Sequence, residues 1–169
     1  MVENSFSVED AGSNDKQARV RTWLRQEGWR IGELYAPDAA WIFSAEDNNE
    51  NAVIIGQPKQ PPDELFIHGN IKISEDCREN LEALSPQEYR QLLWNLRFGL
   101  LQAGVDFMGI DDPLDLIMMR QNIYDDGLTK DMFFQRLHQV IRGMRFVLWA
   151  LMRDNLVPPK EEDATGLVQ

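Results

Sequence analysis

Hydrophobic and polar positions along this chain change period several times, and each change marks a new element. From Asp15 to Glu27 the apolar residues Val20, Trp23 and Leu24 recur at helical spacing, and Gly28 stands where such a helix would end. The period then drops to two. Trp29, Ile31 and Glu33 alternate with Arg30, Gly32 and Leu34; after the turn at Ala36-Pro37-Asp38 a second strand runs through Trp41, Phe43 and Ala45. Asp47-Asn48-Asn49-Glu50-Asn51 reads as a hairpin loop because Asp and Asn tolerate positive φ, and Ala52 to Gln57 returns as a third strand. Three prolines break the pattern between Gln57 and Asp63, since proline cannot donate to a ladder. The fourth strand alternates most cleanly, with Leu65, Ile67, Gly69, Ile71 and Ile73 on one face and Phe66, His68, Asn70 and Lys72 on the other. That alternation puts His68 on the exposed side.

Helical spacing resumes at Ser74, which is placed to cap a short helix through Ala83 with Glu75 and Asp76 at its positive end. Ser85-Pro86-Gln87-Glu88 then combines a capping box with proline at the first helical position, and the helix it opens runs to Ala103 and stops at Gly104. Val105 to Ile110 and Leu114 to Ile123 predict two further strands around Asp111-Asp112-Pro113. Thr129 predicts the N-cap of a long last helix reaching about Val157, before Pro158. The class is therefore α+β: an antiparallel sheet made of a three- to four-stranded meander plus a hairpin, packed with helices. Residues 1–14 read as a flexible arm, 15–157 as a single domain and 158–169 as a flexible acidic tail.

Charge narrows the choice of partners. The chain has 169 residues and a formal charge of −11, and such a surface repels phosphate backbones and anionic membranes, so neither nucleic acid nor membrane is the expected partner. No apolar run approaches the ~18 residues needed to span a bilayer, and the first residues lack a basic and apolar leader, so the expected location is cytoplasmic. Chemistry is sparse. The lone Cys77 can build neither an internal disulfide nor a structural zinc site, and the acids before it would raise its pKa rather than activate it. His68 and His138 have no nucleophile or base at motif spacing. The acids Asp106, Asp111, Asp112, Asp115, Asp125 and Asp126 do not follow the alternation of a calcium loop and suit turns instead. No catalytic residue, metal or cofactor is expected.

Two helices carry more apolar surface than one core face uses. In the helix from Pro86, Tyr89, Leu92, Leu93, Leu96, Leu100 and Ala103 form a stripe about 100° wide, while Trp94, Phe98 and Leu101 form a second on nearly the opposite side. One stripe must meet the sheet. The other either meets a second copy of the chain as a dimer interface or is covered by another helix of the same domain. The dimer is the favoured reading, because a two-layer domain has few elements left to cover that side. In the last helix Phe133, Leu137, Val140, Ile141, Met144, Val147, Leu148 and Leu151 cluster within roughly 120° as a core stripe. The opposite arc holds His138, Arg142, Arg145, Phe146, Trp149 and Arg153. Five basic against two acidic residues between Thr129 and Val157 give that segment +3, in a chain whose remainder carries −14. Arg and Trp are enriched at binding hot spots, so Arg142, Arg145, Phe146 and Trp149 are the candidate partner-binding residues. Pairing of these arginines with the chain's own acids is the competing reading.

The element order, the small size and the acidity resemble the type III secretion chaperone-like fold. The strings Val-Arg-Thr-Trp-Leu (20–24), Leu-Leu-Trp-Asn-Leu-Arg-Phe (92–98) and Ile-Tyr-Asp-Asp-Gly-Leu-Thr-Lys-Asp (123–131) are similar to those of an uncharacterised family assigned to that fold. The resemblance implies a homodimer that binds another polypeptide and performs no chemistry. The expected function is a non-enzymatic protein- or peptide-binding module, chaperone-like or regulatory. The alternative is an enzyme or small-ligand-binding protein with a pocket between sheet and helices.

Overall fold

The computed structural model describes the backbone of residues 8–157 and the side chains of 15–157; residues 1–7 of the expected arm and all of the expected tail lie outside the described residues. Its elements are α1 (Val8–Gln26), β1 (Arg30–Glu33), β2 (Ala39–Glu46), β3 (Ala52–Pro58), β4 (Glu64–Lys72), α2 (Glu75–Glu82), α3 (Pro86–Ala103), β5 (Asp106–Met108), β6 (Leu116–Tyr124), a 3-10 turn (Asp125–Gly127) and α4 (Lys130–Arg153). The fold is α+β, with six strands in one antiparallel sheet ordered β1-β2-β3-β4-β6-β5. The meander pairs in sequence order, with Ile31 opposite Ala45, Phe43 opposite Ile55, and Ile55 opposite Ile67. At the two ends of β4, Ile73 N–H donates to Asp115 C=O (2.8 Å) and Asp125 N–H to Asp63 C=O (3.0 Å). Both pairs have the same residue-number sum, which is the mark of an antiparallel β4–β6 ladder.

Backbone contacts divide the chain into two compact units. The first comprises residues up to Gly69 and Arg120–Val140, the second Asn70–Met119 and the chain from Ile141 onward. In the first unit Val20 and Leu24 of α1, Phe43, Ile55 and Ile67 of the sheet, and Phe133 and Leu137 of α4 are all fully buried. The Phe133 ring lies 6.0 Å from Trp23 and meets Phe134 edge-on at 5.3 Å. Trp41, Gln57 and Lys16 bring polar groups into this core together with their partners. Trp41 Nε1–H donates to Gln57 Oε1 at 2.8 Å, Gln57 Nε2 donates to Pro62 C=O, and the buried Lys16 ammonium pairs with Asp125 while donating to Pro62 C=O at 3.3 Å. These contacts tie down the proline-bearing loop that follows β3.

In the second unit the buried stripe of α3, Leu92, Leu93, Leu96 and Leu100, joins Ile117, Met119, Val147 and Leu151 in the core. The start of α3 is fixed as its sequence predicts. Ser85 Oγ accepts from Glu88 N–H at 3.3 Å, and the Glu88 carboxylate accepts from Ser85 N–H at 2.8 Å. Its end is fixed by Gly104, which holds φ at 68° as a left-handed cap. The hairpin between β5 and β6 needs Gly109, where φ is +82° and a Cβ would sit 1.9 Å from Leu116 C=O.

Several expectations move. Helix α1 begins at Val8, ahead of the expected start at Asp15. Helix α4 stops at Arg153 rather than near Val157, because Asn155 takes a left-handed conformation (φ 57°) and Leu156 N–H turns back to Leu151 C=O at 2.9 Å. Asparagine is among the few residues that accept that geometry, and it closes the helix before the proline is reached. Leu148, on the flank of the core stripe, is 38% exposed.

Candidate interaction face

The second unit places the residues expected at a dimer interface on the surface. Trp94, Phe98 and Leu101 of α3 are 54%, 57% and 64% exposed. Their spacing follows from the helix: residues three and four apart stand one above the other, so the three side chains form a single ridge. The Trp94 and Phe98 rings stack with centroids 5.5 Å apart, a favourable aromatic contact. Residues of this size, each about half bare, leave on the order of 300 Å² of apolar surface, comparable with the largest patch on a typical monomer.

On α4, Arg142 and Arg145 are exposed, as the helix period predicts, and Trp149 is 64% exposed. Arg142 also takes part in an interaction within the chain. Phe146 differs from expectation. It is half-buried, and its ring occupies the space over Gly99 of α3, where an added Cβ would fall 1.9 Å from the ring tip. A second small residue, Gly143, lets Leu100 approach: a Cβ there would stand 3.2 Å from the leucine methyl and 3.0 Å from Val105. Phe146 therefore locks α4 onto α3 instead of standing out as a contact for a partner. The sequence signal was Gly99 inside a helix, where glycine costs about 1 kcal/mol relative to alanine and commonly serves close packing.

The remaining chemistry-bearing residues are placed as follows. Cys77 is buried, and burial pushes its thiol pKa upward; the direction matches the sequence reading, while the cause is desolvation rather than the neighbouring acids. Among the acids, Asp115 pairs with Arg78 (2.6 Å), Asp111 with Arg97 (3.4 Å) and Asp125 with Lys16, which gives three of the expected turn acids a structural use. Among the described residues no three His, Cys, Asp or Glu side chains gather in a geometry that would hold a metal. In the first unit His138 lines an open cleft of about 490 Å³ with Trp29, Phe134, Glu27 and Asp47. Glu27 there is paired with Lys130 at 2.8 Å, and Asp47 accepts from Asn49 N–H and Asn51 N–H of its own loop.

His68 corrects the simple alternation. It is half-buried, with its ring 4.5 Å from Phe66, which itself lies over Gly56; the Arg120 guanidinium stands 5.7 Å from the Phe66 ring. The cause is position, because β4 runs between β3 and β6 and long neighbours on both sides cover its outward face. Burial first and the Arg120 charge second push the His68 pKa down from 6.5 to about 4. The folded protein therefore holds His68 neutral where the unfolded chain would protonate it. This contribution to stability is complete above pH 6.5 and is lost as pH falls through 6.5 toward 4. After allowance for partial solvent exposure it amounts to roughly 1–2 kcal/mol. A His68→Asn variant should lack it, so the stability gap between wild type and variant should shift by that amount across the window in urea titrations. A constant gap would show that His68 makes no pH-linked contribution.

Fold and face together describe an α+β fold with an exposed aromatic ridge on α3. The chain belongs to the family described as "Uncharacterized conserved protein (DUF2299)", whose model matches residues 16–151. It is similar to a crystal structure of an uncharacterized protein from Methanothermobacter thermautotrophicus, with a TM-score of 0.76 and 27% identity over 82% of this chain and 97% of that one. A second crystal structure, of YbjN from E. coli, aligns with a TM-score of 0.49 and 13% identity over 80% of this chain and 91% of that one, a likeness too slight to argue from. No curated protein matches. Neither the family nor either structure is described as a secretion chaperone. No helix among the described residues is long and apolar enough to cross a membrane.

Proposed function

We propose that this chain is a non-enzymatic protein-binding module, chaperone-like or regulatory, that acts in the cytoplasm as a homodimer. In this reading Trp94, Phe98 and Leu101 meet a second copy of the chain, while Arg145 and Trp149, beside Arg142 and backed by Phe146, hold a polypeptide segment. The supporting observation is the exposure of four large side chains on α3 and α4, each more than half bare. Exposed apolar surface of this extent lowers solubility and is commonly covered by a partner. The +3 balance of the α4 segment favours an acidic, amphipathic peptide, with aromatic burial supplying affinity and guanidinium groups supplying registry.

The test is capture by the full chain, compared with an Arg145→Glu/Trp149→Ala variant. Polypeptides retained from a lysate of the source cell should fall at least tenfold in the variant, with the far-UV spectrum and melting temperature nearly unchanged. Equal retention by both proteins would overturn the assignment of this face. So would a variant that unfolds, because the two side chains would then belong to the core.

A further inference from the structure

We propose that a cleft in the second unit, between α2, the start of α3 and the Asp112-Pro113-Leu114 turn, binds a small α-amino acid with an apolar side chain. The cleft is open to solvent and has a volume of about 480 Å³, within the range of small-ligand sites. Its apolar walls come from Leu81 and Leu84 at the end of α2 and from Pro113 and Leu114 of the turn. Leu81 and Leu114 are buried and fix the floor. Tyr89 closes one side: its Oη accepts from Leu114 N–H at 3.0 Å, and its own O–H has no acceptor among the described residues.

The charged groups around the cleft separate into committed and uncommitted ones. Arg78 is committed, to Asp115 at 2.6 Å and to Glu75 at 3.3 Å. Glu82, Arg90 and Asp112 all line the cleft, all are exposed, and none of them has an ion-pair partner among the described residues. A simple carboxylic acid would satisfy Arg90 and the Tyr89 hydroxyl but would face two carboxylates. A simple amine would suit those carboxylates and leave Arg90 and the hydroxyl unmatched. A zwitterion meets both sets: its carboxylate takes the donors of Arg90 and Tyr89, its ammonium takes Glu82 and Asp112, and its apolar side chain lies on the leucine and proline floor. This site is separate from the α3 ridge, so its fate and that of the binding-module reading are independent.

The experiment is a titration of the isotope-labelled full chain, followed by amide NMR, with L-leucine, L-phenylalanine, isocaproate and isoamylamine as probes. Isocaproate is leucine without the ammonium, and isoamylamine is leucine without the carboxylate. Saturable shifts at Leu81, Leu84, Tyr89 and Leu114 are expected for leucine or phenylalanine, with each single-charge analogue at least tenfold weaker. Arg90→Gln should weaken leucine by about tenfold, and Glu82→Gln with Asp112→Asn should bring leucine down to the level of isocaproate. These three positions are exposed, so the variants should keep the wild-type amide spectrum elsewhere. Absence of saturable shifts at millimolar amino acid would overturn the proposal, as would shifts centred outside the cleft. An analogue that binds as tightly as leucine would refute the two-charge recognition.

Discussion

Substitution of both Trp94 and Phe98 by alanine should convert a dimer into a monomer. Light scattering on the wild type at micromolar concentration should give twice the chain mass of 19.6 kDa, and the double variant should approach the single mass. The expected loss is about 2–4 kcal/mol of association free energy, because stacked aromatic anchors at an interface centre are commonly hot spots. Folding of each chain should survive. Both side chains are more than half exposed, and their removal opens no cavity in the leucine core on the other side of α3. The variant's melting temperature, extrapolated to low concentration, should therefore match that of the wild type. A wild type that stays at 19.6 kDa at every accessible concentration would refute the dimer and leave the ridge open to other partners.

A second large effect belongs to the core of the first unit. Phe133→Ala should lower the unfolding free energy by about 3–5 kcal/mol, a large share of the total stability of an ordinary domain. The ring is fully buried, and it touches aromatic neighbours on two sides, Trp23 on α1 and Phe134 on its own helix. Truncation removes the transfer free energy of the ring and also leaves a cavity, because Trp23 and Phe134 lose the ring they pack against. Urea denaturation would measure the loss through a lower midpoint at unchanged slope. A loss under 1 kcal/mol would mean that the neighbours collapse into the space, contrary to the geometry described.

Much of this architecture is legible in the residues because its signals are local. Ser85, Pro86, Glu88 and Gly104 bound α3 at both ends, and the structure places that helix from Pro86 to Ala103. Thr129 likewise accepts from Met132 N–H at the start of α4. The alternation of Leu65, Ile67 and Ile71 gave the buried face of β4, since period two depends only on nearest neighbours in sequence. Non-local facts were out of reach. The burial of His68 depends on Gly56 and Arg120, residues of two other strands, and the seating of Phe146 depends on Gly99, far away in the chain. The cleft beside Tyr89 is built from three segments, and no single one of them carries a recognisable pattern. Asn155 was readable in principle: asparagine just past an apolar periodic run is a recognised stop, and the more conspicuous Pro158 drew the predicted boundary four residues too far.

The seat of Phe146 over Gly99 has a consequence for how the exposed face would meet another molecule. An aromatic ring lodged in a notch allows neither helix to roll about its axis, so the ridge of α3 and the basic arc of α4 hold one fixed mutual geometry before any encounter. A surface organised in advance spends little of its contact energy on ordering itself, and a larger fraction appears as affinity. It also discriminates by shape: a partner must present its apolar and acidic groups at the separation the notch dictates, because the face cannot adjust to it. Selectivity in this protein would then originate at a residue with no side chain, beneath the surface that does the recognising.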